Sequence, residues 1–201
     1  MNMMILAAIG YLIGSIPFAL VIGKLFYKTD IRQYGSGNLG GGNAGRVLGK
    51  KAGVAVMTLD ILKVSFVVFL AVHFDGGMDA VACAGLAAAV GHCYPLFAKF
   101  KGGKAVATMY GFLFGLFVFA GYSPWLFFLP LLVFLAVLYL TKIIALASMI
   151  SAAAVTLYVR LTTDSVEIAA VLLVFTALIV VRHRKNIERI CRHQENKISW
   201  M

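Results

Sequence analysis

The sequence predicts an all-α, polytopic membrane protein of about seven transmembrane helices, N-terminus outside and C-terminus cytoplasmic, built as a single domain over residues 1–201. Three observations predict it. The first is composition: 62% of the residues are apolar and 13% charged, with a mean hydropathy of +0.93, whereas the apolar share of soluble domains is nearer half. The second is spacing. Apolar runs occupy 3–27, 53–74, 80–98, 105–122, 124–141, 144–160 and 165–182, separated by short polar breaks. A perpendicular helix needs ~20 residues to cross the bilayer, so the shorter runs read as tilted or partly re-entrant, and five or six crossings is the alternative count. The third is sidedness. With the N-terminus outside, the breaks at 28–52, 99–104 and 142 and the tail from 182 fall inside and hold 15 of the 18 Lys and Arg residues. The outer breaks carry Asp75, Asp79, Asp164 and Glu167, with Arg160 as their basic residue. That is the positive-inside pattern.

The first run lacks a charged leading region and a small-residue cleavage site before Pro17, so it reads as a retained span. The net charge of +10 raises nucleic acid as a partner. It is excluded because the basic residues sit in breaks between apolar runs, where topology explains them. Cys83, Cys93 and Cys191 are widely spaced and odd in number, which indicates neither a disulfide framework nor a metal site. No cofactor is implied. Within the second run, Asp60 and Lys63 lie one helical turn apart, and charges at that depth read as an inward-facing structural ion pair. Small residues at Gly85 to Ala89 and Ala145 to Ala154 suit close helix packing. Phe112, Phe114, Phe117 and Phe119 read as lipid or neighbour contacts. No internal repeat is visible, which weighs against a duplicated transporter.

Three polar segments share the inner face. Gly35 to Gly40 formally fits GxGxxG, but no βαβ unit surrounds it, so a dinucleotide site is excluded. What remains is a glycine-dense loop offering Ser36, Gly37, Asn38, Asn43 and Arg46, a composition that can enclose a phosphate. Lys50 and Lys51 read as topological charge. The second segment, Gly91 to Thr108, contains His92, Pro95, Lys99, Lys101, Gly102, Gly103 and Lys104. Lys104 follows the two glycines and opens the next apolar run, so its ammonium, the glycine amides and the helix end can converge on one anion. His92 reads as a structural residue. In the third segment, Arg182 to Arg189, a continuing helix sets His183, Asn186 and Ile187 on one side.

Taken together, GSGNxGxxNxxR at Gly35 to Arg46, GHxxPxFxxFKGGKxVAT at Gly91 to Thr108 and RHRxNIxR at Arg182 to Arg189 resemble the PlsY family, the acyl-phosphate-dependent glycerol-3-phosphate acyltransferases of bacteria. The resemblance covers nearly the whole chain, with the motifs in the family's order. Three departures stand out. Gly41-Gly42 replaces a usual Ala-Thr, His193 stands where a glycine before Glu195 is usual, and Ala145 replaces a serine in a stretch that keeps Ser148.

The resemblance implies transfer of an acyl group from a fatty acyl phosphate to the sn-1 hydroxyl of glycerol-3-phosphate, giving lysophosphatidate and inorganic phosphate. It implies a multi-pass protein of the bacterial cytoplasmic membrane with its site on the cytoplasmic side, membrane lipid around it, and an acyl-phosphate-producing enzyme as functional partner. Carried over position by position, Ser36, Lys104, His183 and Asn186 form the expected catalytic set. Ser36, Gly37, Asn38, Asn43, Arg46, Gly102, Gly103, Lys104, His183 and Asn186 are the expected substrate-binding set. Ser36, Arg46 and Lys104 are assigned to glycerol-3-phosphate, and His183 with Asn186 to the acyl phosphate. The HxxxxD pattern of other acyltransferases is not seen, so the base is either His183 or a substrate phosphate oxygen. Two alternatives from other classes are a small phosphate or organophosphate transporter and a membrane phosphatase.

Overall fold

The computed structural model describes residues 2–74, 77–163 and 165–198; Asp75 and Asp164, invoked for sidedness, lie outside the described residues. Among the described residues the fold is helical, without strands. The helices are α1 (Met3–Gly14), α2 (Phe18–Tyr27), α3 (Gly41–Val47), α4 (Lys50–Phe74), α5 (Met78–Cys93), α6 (Val106–Phe119), α7 (Trp125–Thr141), α8 (Ile144–Thr162), α9 (Val166–Arg182) and α10 (Arg184–Cys191). Single 3₁₀ turns lie at Ile31–Gln33 and Leu96–Ala98.

All seven apolar runs become helical. Among the described residues, four stretches are long and apolar enough to cross a bilayer: Met3–Tyr27, Lys50–Phe74, Met78–Ala98 and Ile144–Thr162. Joining α9 to α10 makes a fifth, but that pair is bent by 60°. Helices α6 and α7 have 14 and 17 residues. At 1.5 Å per residue they reach roughly 21 and 26 Å, short of the ~30 Å hydrocarbon thickness.

The first run breaks between α1 and α2 because Pro17 cannot donate into the helical ladder. The Leu20 amide turns to the Pro17 carbonyl at 2.9 Å, and the Ile16 carbonyl accepts instead from the Lys63 ammonium at 3.0 Å. A broken backbone at membrane depth needs such a partner.

Elsewhere the bundle closes through small residues. A Cβ on Gly10 would enter the Ala84 backbone and one on Gly14 the Ala88 backbone, so α1 lies directly on α5. Gly111 and Gly115 let α6 approach α4 at Ile61 and Val68 in the same way. Lipid is as apolar as the side chains, so close packing rather than hydrophobic burial drives this association. The core between α4, α5, α6 and α9 is filled by Val64, Val68, Met109, Leu113, Leu172 and the paired rings of Phe112 and Phe175, 5.3 Å apart. Large apolar side chains such as Phe66, Leu140 and Leu161 face outward, as a lipid-embedded surface requires. A second, smaller core of Ile31, Leu39, Ala44, Val56 and Ala98 seats the first polar loop against α2 and α4.

Candidate active site

The first loop is built around Asn43. Its Oδ1 accepts from the Ser36 amide at 2.8 Å, while its Nδ2 donates to the carbonyls of Ile31 and Tyr34 at 3.3 and 3.2 Å. Gly35 and Gly37 adopt left-handed φ of +61° and +67°, which lets the chain wrap this carboxamide. Just upstream, Asp30 caps the 3₁₀ turn, and its hydrogen bonds to Arg32 hold its carboxyl at about 2. The buried Asn43 therefore shapes the loop, and exposed Ser36 and Arg46 face the site. Gly37 turns the chain, donating its amide to the Tyr34 carbonyl at 3.0 Å.

The glycines of the second segment serve close approach. Their φ values are not left-handed. A Cβ on Gly102 would enter the His92 carbonyl, and one on Gly103 would enter the His92 ring. The Gly103 amide donates to the His92 carbonyl at 2.9 Å, so it does not point at a ligand. This corrects, for Gly103, the expectation that the glycine amides converge on an anion. The helix also starts later than expected: Ala105, at φ +62°, is the N-cap and Val106 the first helical residue, leaving Lys104 in the loop. On the loop's other side Arg182 donates Nε to the Gly103 carbonyl at 3.0 Å and Nη2 to the Gly102 carbonyl at 3.2 Å. Asn38 Nδ2 reaches the Gly102 carbonyl at 3.4 Å. Lys99 and Lys101 are exposed, so Lys104 is the lysine of this segment held at the site.

In the third segment the helix does not continue straight. It bends by 60° at His183, whose amide contacts the carbonyls of Ile179 and Val180. The bend nonetheless brings His183 and Asn186 together, 3% and 6% exposed, on the same cavity wall. His183 Nδ1 lies 2.8 Å from the Ile179 carbonyl. A carbonyl only accepts, so Nδ1 carries the proton and Nε2 keeps the lone pair. Lys104 Nζ donates to Asn186 Oδ1 at 2.6 Å, Asn186 Nδ2 to Glu195 Oε1 at 2.7 Å, and Arg189 Nε to Glu195 Oε2 at 2.6 Å. The Ile198 amide donates to the Lys142 carbonyl at 2.9 Å, tying the tail down beside this chain of bonds.

These segments enclose a cavity of about 420 Å³. Of the expected site residues, Ser36, Asn38, Asn43, Arg46, Lys104, His183 and Asn186 line it, whereas Gly37, Gly102 and Gly103 shape its walls from behind. Met57, Val106, Ala107, Phe134 and Ala145 give it an apolar side. The model of the glycerol-3-phosphate acyltransferase family matches residues 4–193 of this sequence. The chain belongs to that family. It is 45% identical to the glycerol-3-phosphate acyltransferase of Geobacillus kaustophilus over 193 residues, 96% of this chain and 94% of the relative. It is 47% identical to glycerol-3-phosphate acyltransferase 2 of Bacillus anthracis over 193 residues, 94% of this chain and 96% of the relative. Among solved structures, the glycerol 3-phosphate form of PlsY, an integral membrane glycerol 3-phosphate acyltransferase, superposes with a TM-score of 0.90. That similarity holds at 37% identity and covers 98% of this chain and 96% of that one.

The electrostatics of this glycerol-3-phosphate acyltransferase family member follow from burial. Desolvation pulls the Lys104 ammonium down to about 8, with Arg189, Arg182 and Arg46 adding repulsion and Glu195 opposing it. Burial, with the Lys104 charge beside it, pulls His183 down to about 4, so its ring is neutral at pH 7.

Several site residues escaped sequence reasoning. Arg182 opens the third motif without a site role of its own, yet it clamps the Gly102–Gly103 carbonyls. Arg189, which closes the third motif, and Glu195, which lies beyond it without a spacing signal, both line the cavity. Asp60 and His92, given structural roles from sequence, also line it.

Two of the departures from the family pattern, at Gly42 and His193, have physical readings. Gly42 has nothing within 4 Å of a built Cβ, so the usual threonine would fit there. His193 sits at φ +56°, which explains the usual glycine. His193→Gly is expected to stabilise the protein by about 1 kcal/mol, read as a raised thermal midpoint. Gly103→Ala is expected to push the loop off His92, costing about 1–3 kcal/mol by overpacking. Its kinetic signature is a raised KM for the phosphate-bearing substrate.

Proposed function

We propose that this protein acylates the sn-1 hydroxyl of glycerol-3-phosphate with a fatty acyl phosphate as donor, releasing lysophosphatidate and inorganic phosphate. The observation that carries this reading is the 2.6 Å contact of Lys104 Nζ with Asn186 Oδ1. It joins the second and third motifs at a cavity whose remaining wall is the first. Both substrates bear phosphate, and the cavity offers Lys104, Arg46 and Arg189 with Ser36 and the carboxamides of Asn38 and Asn186. Ser36, Arg46 and Lys104 bind the glycerol-3-phosphate phosphate. His183 and Asn186 orient the acyl phosphate and the attacking hydroxyl.

An acyl phosphate is already an activated mixed anhydride, so no covalent intermediate with the protein is required. The hydroxyl oxygen attacks the carbonyl carbon, the bond from that carbon to the phosphate-bearing oxygen breaks, and phosphate departs. Positioning the reactants and neutralising phosphate charge supply most of the acceleration. His183 Nε2 accepts the hydroxyl's hydrogen bond. A histidine held at about 4 is a weak base, whereas the phosphate oxygen gains negative charge as its bond to the carbonyl carbon breaks and becomes much the stronger base. The proton therefore ends on the departing phosphate.

Counting all seven apolar runs as crossings, the short α6 and α7 included, with the N-terminus outside, we read this site as lying on the cytoplasmic face of the bacterial membrane, and the apolar side of the cavity leaves the acyl chain in lipid. A reaction that phosphorylates a free fatty acid, or phosphorolyses an activated one, must supply the donor. The deciding experiment gives purified protein glycerol-3-phosphate with palmitoyl phosphate, and palmitoyl-CoA as the control donor. Lysophosphatidate from the acyl phosphate alone is expected. Product from the thioester alone overturns the donor assignment, and uptake of glycerol-3-phosphate into vesicles without product replaces the enzyme with a carrier.

A further inference from the structure

Asp60 sits in α4, 1% exposed, with its two carboxylate oxygens treated very differently. Oδ1 accepts from Lys63 Nζ at 2.6 Å and lies 3.6 Å from His92 Nδ1. Oδ2 is buried and has no hydrogen-bond partner among the described residues. Lys63 cannot serve it. Its other contacts are the Ile16 carbonyl at 3.0 Å and His92 Nδ1 at 3.1 Å, so its three N–H groups have three acceptors. A buried carboxylate oxygen without a donor costs free energy comparable to a lost charged hydrogen bond. Asp60 belongs to the cavity wall, one helical turn beyond Met57 and beside His92.

We infer that Asp60 binds the non-reacting middle hydroxyl of the glycerol unit, distinguishing a polyol phosphate from a simple alkyl phosphate. The inference rests on the proposed glycerol-3-phosphate reading. Three facts converge. The cavity's cationic groups account for the phosphate, but a glycerol unit also brings hydroxyl donors, and Asp60 is the acidic residue of the α4 wall. His92 carries the Gly102–Gly103 loop, so Asp60 sits on the same buried support that positions Lys104. Lys63 compensates the carboxylate charge, which makes Asp60 an acceptor for recognition rather than a base that removes the hydroxyl proton.

The test compares glycerol-3-phosphate with 3-hydroxypropyl phosphate, which keeps the reacting hydroxyl and the phosphate but lacks the middle hydroxyl. The wild type is expected to prefer glycerol-3-phosphate by about 10- to 100-fold in kcat/KM, the range for a hydrogen bond to a charged group. Asp60→Asn, which retains an acceptor for Lys63, is expected to lose most of that preference. Competitive inhibition by inorganic phosphate against glycerol-3-phosphate, which reports that substrate's phosphate subsite, stays unchanged. Equal use of both substrates by the wild type overturns the inference whether or not the variant folds. So does a variant whose phosphate inhibition weakens as much as its substrate use. Absence of product from either substrate with the wild type overturns the functional reading and this inference with it.

Discussion

Lys104→Met is expected to lower kcat/KM for glycerol-3-phosphate by about 10²- to 10³-fold, the range for removing one preorganised donor from an anionic transition state. The protein should remain folded. Methionine keeps the unbranched apolar stem, and burial already penalises the ammonium, holding it at about 8. Removing that charge therefore relieves a desolvation cost while leaving Asn186 without the 2.6 Å donor to its Oδ1. The same value fixes the pH dependence. The free enzyme carries the ammonium below about 8 and loses it above, so kcat/KM for the phosphate substrate should be level below that pH. Above it, the value should fall about tenfold per unit, because each unit removes tenfold of the charged form. Lys104→Arg, which does not titrate in this range, should abolish that fall even if its turnover is lower. Wild-type kinetics in a folded Lys104→Met protein would remove Lys104 from the site.

Lys63→Met is expected to destabilise the protein more than loss of any side chain at the cavity. The ammonium serves three acceptors: Asp60 Oδ1, the Ile16 carbonyl at the broken first helix, and His92 Nδ1. Deleting it leaves a buried uncompensated carboxylate and a carbonyl without its partner, a loss of about 3–5 kcal/mol. For a chain of this size the thermal midpoint in detergent should fall by roughly 10 °C. Adding Asp60→Leu should restore much of that stability, because replacing both partners of a buried pair by apolar groups is often neutral. Activity should not return, since Asp60 and the His92 support are then both altered. A single variant with an unshifted midpoint would show that the pair contributes no stability.

Much of the architecture was legible in the chain. Apolar runs without internal polarity forced helices, because only an internally hydrogen-bonded backbone tolerates lipid. The pairing of Asp60 with Lys63 followed from their i, i+3 spacing at membrane depth. The separation of Lys104 from Lys99 and Lys101 followed from its place after two glycines. The length needed to span a bilayer was harder to read. The runs at 105–122 and 124–141 are continuous in hydropathy, but a left-handed Ala105 and the Gly121 turn trim the first to 14 helical residues. Hydropathy does not register a backbone dihedral.

Local periodicity also missed the bend at His183, although its result for His183 and Asn186 survived because the bend turns both toward one cavity. Taken alone, the sequence determined a membrane-embedded helical chain, the three polar segments and their membership of one family pattern. Those follow from composition and from spacing within single segments. Only the tertiary structure decided that Asn43 folds its own loop, that Gly102 and Gly103 exist to let His92 approach, and that Arg182 and Glu195 belong to the site. It also left Asp60 Oδ2 without a partner. These are distances between residues tens of positions apart, created when the helices pack.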